Sequence, residues 1–284
     1  MRRRRGGNAR GAAPLETRAT GGYGRGMARP LLALALAALL ARPAAAAQPG
    51  RVLTVAAAAN LKPAMEELAA AFEEEQPGAK VRATLGASAN LAAQARAGAP
   101  FDLFLSADDL QPRKLAEEGL ADRAGPFLYA LGRLALWVPA ASPVPIERDG
   151  LAALASPAVK KVAIANPKLA PYGKAAEDAL WAAKLLDGVR PKLVFGESVA
   201  QAAQFAGSGA ADAALLPLSL VLTGPLAAGR RVILPDEAHS PIDQAGVVLA
   251  RAREPELARA FARFLRGPHG QAILARFGYA LPPR

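Results

Sequence analysis

"VAAAANLKPAMEELAAAF", residues 55–72, holds the junction on which the fold turns. The run "RVLTVAAAA" that enters it is apolar almost throughout, as a strand covered on both faces is. Beyond the junction, Leu61, Met65, Leu68, Ala69 and Phe72 recur with a period of about 3.6, one stripe of an amphipathic helix reaching Glu75. Between strand and helix stands Asn60, whose side chain competes with the backbone for hydrogen bonds. A helix starting there presents about four unpaired N–H groups and the positive end of its dipole. Asn60 can cap the helix as an acceptor. Alternatively, the small alanines leave the corner open to an anion, and Asn60 donates its side-chain amide to it.

The same unit repeats outward. "KVRATLG" reads as a strand and "NLAAQARAG" as a short helix closed by Gly98; "FDLFLSA" is a strand feeding a helix that begins at Asp108 and ends near Gly119. A longer strand over 131–140 and the proline-rich "SPVPIERDG" precede a second set. There "KKVAIAN" leads to a helix from Tyr172 to Lys184, and "PKLVFG" to one from Val199 to Gly207. "DAALLPLSL" reads as a buried strand and "RRVILP" as another. "DQAGVVLAR" is a late strand, and two helices around "PELARAFARFLRG" and "GQAILARFG" close the chain. Alternating strands and helices predict an α/β fold with parallel sheets. Because the early long strand and "AGVVLA" bracket the second set, we expect two lobes, each a mostly parallel sheet flanked by helices, with the chain crossing twice at a hinge. Lobe I is expected to span 48–130 plus 240–284, and lobe II 131–239.

The first 47 residues read differently. Residues 1–26 show "MRRRR" and many glycines without apolar periodicity; from Met27, "MARPLLALALAALLARPAAAAQPG" has the basic start, short apolar run and small residues of a secretory signal. It predicts export to the periplasm with cleavage near Ala47 and Met27 as initiator. Of 35 basic residues nine arginines fall within residues 1–47, and of 24 acidic ones only Glu16. The mature chain therefore keeps 26 basic and 23 acidic residues, a net of +3, not the +11 of the whole. No clustered basic face for nucleic acid is visible. Cysteine is absent and only His239 and His269 occur, which excludes thiolate chemistry and argues against histidine-rich metal sites.

Three more corners resemble that at Asn60. "TLGASANLAAQ" sets Ser88 and Asn90 in the turn before a helix. "IANPKLAPYGKAAEDAL" places Pro171, Tyr172 and Gly173 where a helix opens, and "VFGESVAQAAQF" does so with Ser198 and Val199. In open α/β sheets, ligands sit beyond the carboxyl ends of the strands, where such corners gather. Four helix starts around one cleft would offer hydrogen-bond donors without lysine or arginine.

On "AAAANLKPAMEELAAAF", "LGASANLAAQARAGAPFDLFLSAD", "IANPKLAPYGKAAEDAL", "GESVAQAA" and "FLRGPHGQAILARFGY", the chain resembles the periplasmic molybdate-binding proteins of ABC transporters, two-lobed solute-binding proteins. The resemblance runs from Val52 to about Tyr279. It implies a periplasmic-binding-protein-like fold and a monomer that holds molybdate or tungstate and passes it to a membrane permease, with no catalysis, cofactor or nucleic acid. It further implies that Asn60 and the Ala59 backbone, the Ser88 hydroxyl, and the backbone N–H groups of Tyr172 and Val199 hold the oxyanion. No protein atom would bind the metal directly; molybdenum or tungsten would be held through its oxo groups. Some members add a tyrosine hydroxyl from the strand that here reads "ALLPLSL", where this chain has Pro217. Sulfate or phosphate as the ligand, and a hydrolase built on Ser88 in the near-elbow "GASAN", stand as alternatives. Asp102, Asp108 and Asp109 are read as caps and lobe hydrogen-bonding groups rather than metal ligands.

Overall fold

The computed structural model describes residues 50–282. The leader and the expected cleavage near Ala47 lie outside the described residues.

The first sheet contains β1 (Arg51–Ala58), β2 (Ala79–Gly86), β3 (Leu103–Leu105), β4 (Phe127–Leu131) and the late β10 (Asp243–Val248), in the order β2-β1-β3-β10-β4. The second contains β5 (Leu134–Val138), β6 (Val162–Ala165), β7 (Leu193–Gly196), β8 (Ala213–Pro217) and β9 (Arg230–Ile233), in the order β7-β6-β8-β5-β9. In each sheet three neighbours are parallel and the fourth strand runs against them: β10 in the first, β5 in the second. The fold is α/β and two-lobed, each sheet flanked by helices.

The helices carry the apolar stripes that cover the sheets. In the first lobe these are α1 (Lys62–Glu75), α2 (Ser88–Arg96), α3 (Leu110–Glu117), and the late pair α6 (Pro255–Arg266) and α7 (Pro268–Arg276); in the second they are α4 (Pro171–Ala182) and α5 (Val199–Gly207). Leu68 and Phe72 of α1 are buried with Phe261 and Leu265 of α6 over Leu53 and Val55. Phe72 meets Phe261 edge-on at 4.9 Å between ring centres, a favourable aromatic geometry. In the second lobe Ala175, Ala176, Ala179 and Leu180 of α4 join Val162 and Ile164.

Four local expectations are corrected. The single strand expected over 131–140 is two, β4 and β5, broken at Gly132–Arg133, where the chain leaves one sheet for the other. Gly132 N–H donates to the Ile242 carbonyl at 2.8 Å, so the outgoing crossing is pinned to the returning one. A Cβ on Gly132 would meet Gln244 Nε2 and Ile242 Cγ2, both at 2.8 Å, so glycine is needed there. The expected strand "DAALLPLSL" stops at Pro217, and Leu218–Val221 coils into one helical turn. Pro217 has no N–H to continue a ladder, and the Leu218 N–H goes to the Arg133 carbonyl at 2.8 Å. The helix expected from Asp108 opens at Leu110, and Asp108 Oδ1 accepts from Gln111 N at 2.9 Å. Asp102 precedes β3 rather than lying in it. Its buried carboxylate accepts from Thr54 N at 2.7 Å and Arg253 N at 2.6 Å, tying β1 to the approach of α6.

Candidate functional site

Each corner is assembled from a strand that ends at the cleft and a helix that begins there. At the first, β1 runs into a 3-10 turn, Ala59–Leu61, before α1. At the second, β2 passes through Ala87 into α2; at the third, Ala170 precedes α4; at the fourth, Ser198 precedes α5. The residues in the capping position decide what these helix starts can bind. Ala58, Ala87 and Ala170 hold that position at the first three, and none has a side-chain cap. Alanine has no acceptor to offer the N–H groups of a first turn, so no capping side chain occupies them. At the third corner Pro171 removes the first of these N–H groups, and Gly173 and Lys174 donate to the Ala170 carbonyl. Tyr172 therefore carries the first free amide of α4. Of the four corners, only the one opening α5 is capped by a side chain: Ser198 Oγ accepts from Gln201 N at 3.4 Å, leaving the Val199 N–H ahead of it.

Ala59, Ser88, Tyr172 and Val199 line one small cavity between the lobes, of about 10 Å³. Ala58, Gly86, Ala87, Ala107, Ala170 and Pro171 complete the lining, which contains no charged side chain. A volume of this order is about the room of a single water molecule and shuts out organic solutes. The lobes meet around it: Ala89 N–H donates to the Leu169 carbonyl at 3.1 Å, and Ala58, Ala59 and Ala107 belong to the same buried cluster as the second sheet. Ser88 Oγ accepts from Ala107 N at 3.1 Å, so the hydroxyl keeps its own proton to donate. Tyr172 turns its hydroxyl away, against Gly132 at the crossing. Burial holds that hydroxyl's pKa well above that of a free phenol, against a backbone hydrogen bond at Arg133.

Asn60 departs from its expected role. It is buried but absent from the lining; its Nδ2 donates to Gln244 Oε1 at 2.7 Å and to Tyr279 OH at 2.8 Å. Both side-chain donors are thus engaged inside the protein, and the first corner presents Ala58 and Ala59 instead. The Asn60 carbonyl accepts from Ser219 Oγ at 2.8 Å and Tyr279 OH at 2.9 Å. Gln244, Tyr279, Ser219 and Ala107 went unseen in the sequence, where each reads as strand, tail or core; the polarity of Gln244 and Ser219 inside apolar runs was the one signal, and Ala107 had none. Pro217 ends β8 outside the lining. Neither histidine lines the cavity: His269 Nδ1 lies 2.8 Å from Glu75 Oε1, and His239 Nδ1 lies 2.8 Å from the Ser240 carbonyl. Ser88 therefore has no imidazole base. A larger groove of about 600 Å³, reached by Lys62 and Glu66 on one lobe and Gln204 and Thr223 on the other, contains none of the expected site residues.

Comparison with known proteins is consistent with this geometry. The molybdate-binding protein ModA of Azotobacter vinelandii is 38% identical over 246 residues, covering 86% of this chain and 94% of that protein. ModA of Rhodobacter capsulatus is 38% identical over 247 residues, covering 87% and 94%. Among solved structures, the Azotobacter vinelandii periplasmic molybdate-binding protein superposes with a TM-score of 0.75 at 34% identity, covering 81% of this chain and all of that one. The profile of the bacterial extracellular solute-binding proteins matches residues 53–280, and the chain belongs to that family.

Proposed function

We propose that this protein captures molybdate or tungstate between its lobes and delivers it, in the periplasm, to the membrane permease of an ABC transporter. One observation carries the reading: four helix starts, three with alanine in the capping position, surround a cavity lined by no charged side chain. A dianion taken from water is costly unless its lone pairs are met, and fixed N–H dipoles and a hydroxyl meet them. Ala59, Ser88, Tyr172 and Val199 supply these donors, and Asn60 contributes through the backbone of its corner. A protonated oxyanion brings a donor where donors already wait, which favours ions fully ionised at neutral pH. The identity of the relatives points to molybdate among them. No catalysis is assigned, and the protein is taken to act as a monomer with lobe I at 48–130 plus 240–284 and lobe II at 131–239.

Thermal-shift titration with molybdate, tungstate, sulfate and phosphate tests the proposal. Molybdate and tungstate should raise the melting temperature at concentrations where sulfate and phosphate do not. An equal rise with sulfate at equal low concentration would refute the assignment.

A further inference from the structure

Gln244 is fully buried in β10, two residues past Ile242, where the chain has just returned to the first sheet. Its two amide ends face different parts of the site. Oε1 accepts from Asn60 Nδ2 at 2.7 Å, at the first corner. Nε2 donates to the Ile242 carbonyl at 3.2 Å and to the Ala107 carbonyl at 3.4 Å. The orientation is set by chemistry: reversing the amide would press an oxygen against two carbonyl oxygens and a donor against a donor. Ala107 itself lines the cavity, and its N–H donates to Ser88 Oγ. One side chain thus touches the first corner directly and reaches the Ser88 hydroxyl through a single residue. It also packs at the outgoing crossing, where Gly132 leaves room for both Gln244 Nε2 and the Tyr172 hydroxyl.

We propose that Gln244 is the positioning residue of the oxyanion site: it aims the Ser88 hydroxyl and the Ala59–Asn60 turn, and ties both to the crossings on which the lobes close. The claim rests on the function proposed above. An amide serving only the core would instead affect folding and leave the donors independent of it.

A double-mutant cycle separates the two roles. Molybdate is titrated calorimetrically into the wild type, Gln244→Met, Ser88→Ala and the double variant, with the melting temperature of each unliganded protein recorded. Gln244→Met keeps the volume and removes both ends of the amide. Each single change should weaken binding by about tenfold or more, the scale found for partners that orient ligating groups. The loss in the double variant should fall short of the product of the single losses by about fivefold or more, because Gln244 acts through Ser88. Single losses that multiply, or a Gln244→Met protein that melts earlier yet binds as the wild type, would overturn the role. Gln244→Asn keeps an amide in the core but cannot span both partners; if the methionine variant does not fold, it takes its place in the cycle, and the same results support or overturn the role. A wild type that takes up no molybdate would overturn the function itself, and with it this inference, before any variant is compared.

Discussion

Ser88 shows how one side chain is left with a single job. Its oxygen is occupied by the Ala107 N–H, so its proton is the part free to act. Ser88→Ala should therefore cost about 1–3 kcal/mol of molybdate binding by calorimetry. Tyr172→Phe should leave affinity within about threefold, since the hydroxyl it removes faces the crossing and the amide remains. A hundredfold loss in the tyrosine variant would show that the hydroxyl reaches the guest. Asp108 gives a pH dependence. Burial raises its pKa above the ordinary 3.8, against hydrogen bonds from Gln111 N–H and the Ser106 hydroxyl. An acid with a raised folded pKa costs nothing while both states are protonated. Above 3.8 the unfolded chain releases its proton first, so stability falls as pH climbs through the folded value. Asp108→Asn should thus be more stable than the wild type at neutral pH, with the gain fading as pH drops toward 3.8, as denaturant unfolding at several pH values would show. Ser88, Tyr172 and Val199 were legible in the sequence because a helix start is a local event. The partners of Asn60 were not: Gln244 lies 184 residues on and Tyr279 219, and no periodicity links positions so far apart.

Among the elements, the approach of α4 to β6 is a close fit. A Cβ on Gly173 would overlap the Ala165 carbonyl and come within 2.9 Å of the Asn166 carbonyl carbon. Gly173→Ala should push the start of α4 off the strand, costing about 1–3 kcal/mol of stability and weakening binding together. Unfolding curves and titration of the same variant check both, and a loss of stability with intact affinity would separate the helix start from the site. Most strands and helices were visible from alternation and period, and the residues of α5 were read without error. The errors fell where tertiary structure overrides local pattern. "LGRLALWVPA" is apolar on both sides of Gly132, so nothing local shows that its halves pair in different sheets. "LPLSL" is strand-like in composition, yet the Leu218 N–H is claimed by Arg133 across the crossing.

At the scale of the whole molecule, holding an anion without charged side chains has a measurable mark. Ion pairs at a surface weaken as salt rises, whereas buried dipoles are screened much less. Molybdate affinity should therefore change by less than about threefold between low and high sodium chloride; a steep decline would reveal a lysine or arginine at the guest. The three alanines that stand ahead of the first-corner turn, α2 and α4 have one more effect. A helix without an N-terminal acceptor forgoes about 0.5–2 kcal/mol. An oxyanion among these turns would supply what the alanines withhold, serving several helices from both lobes as a shared terminus. Amide hydrogens at the beginnings of α2 and α4 should then exchange more slowly once the ion is bound, while those midway along the same helices keep their pace.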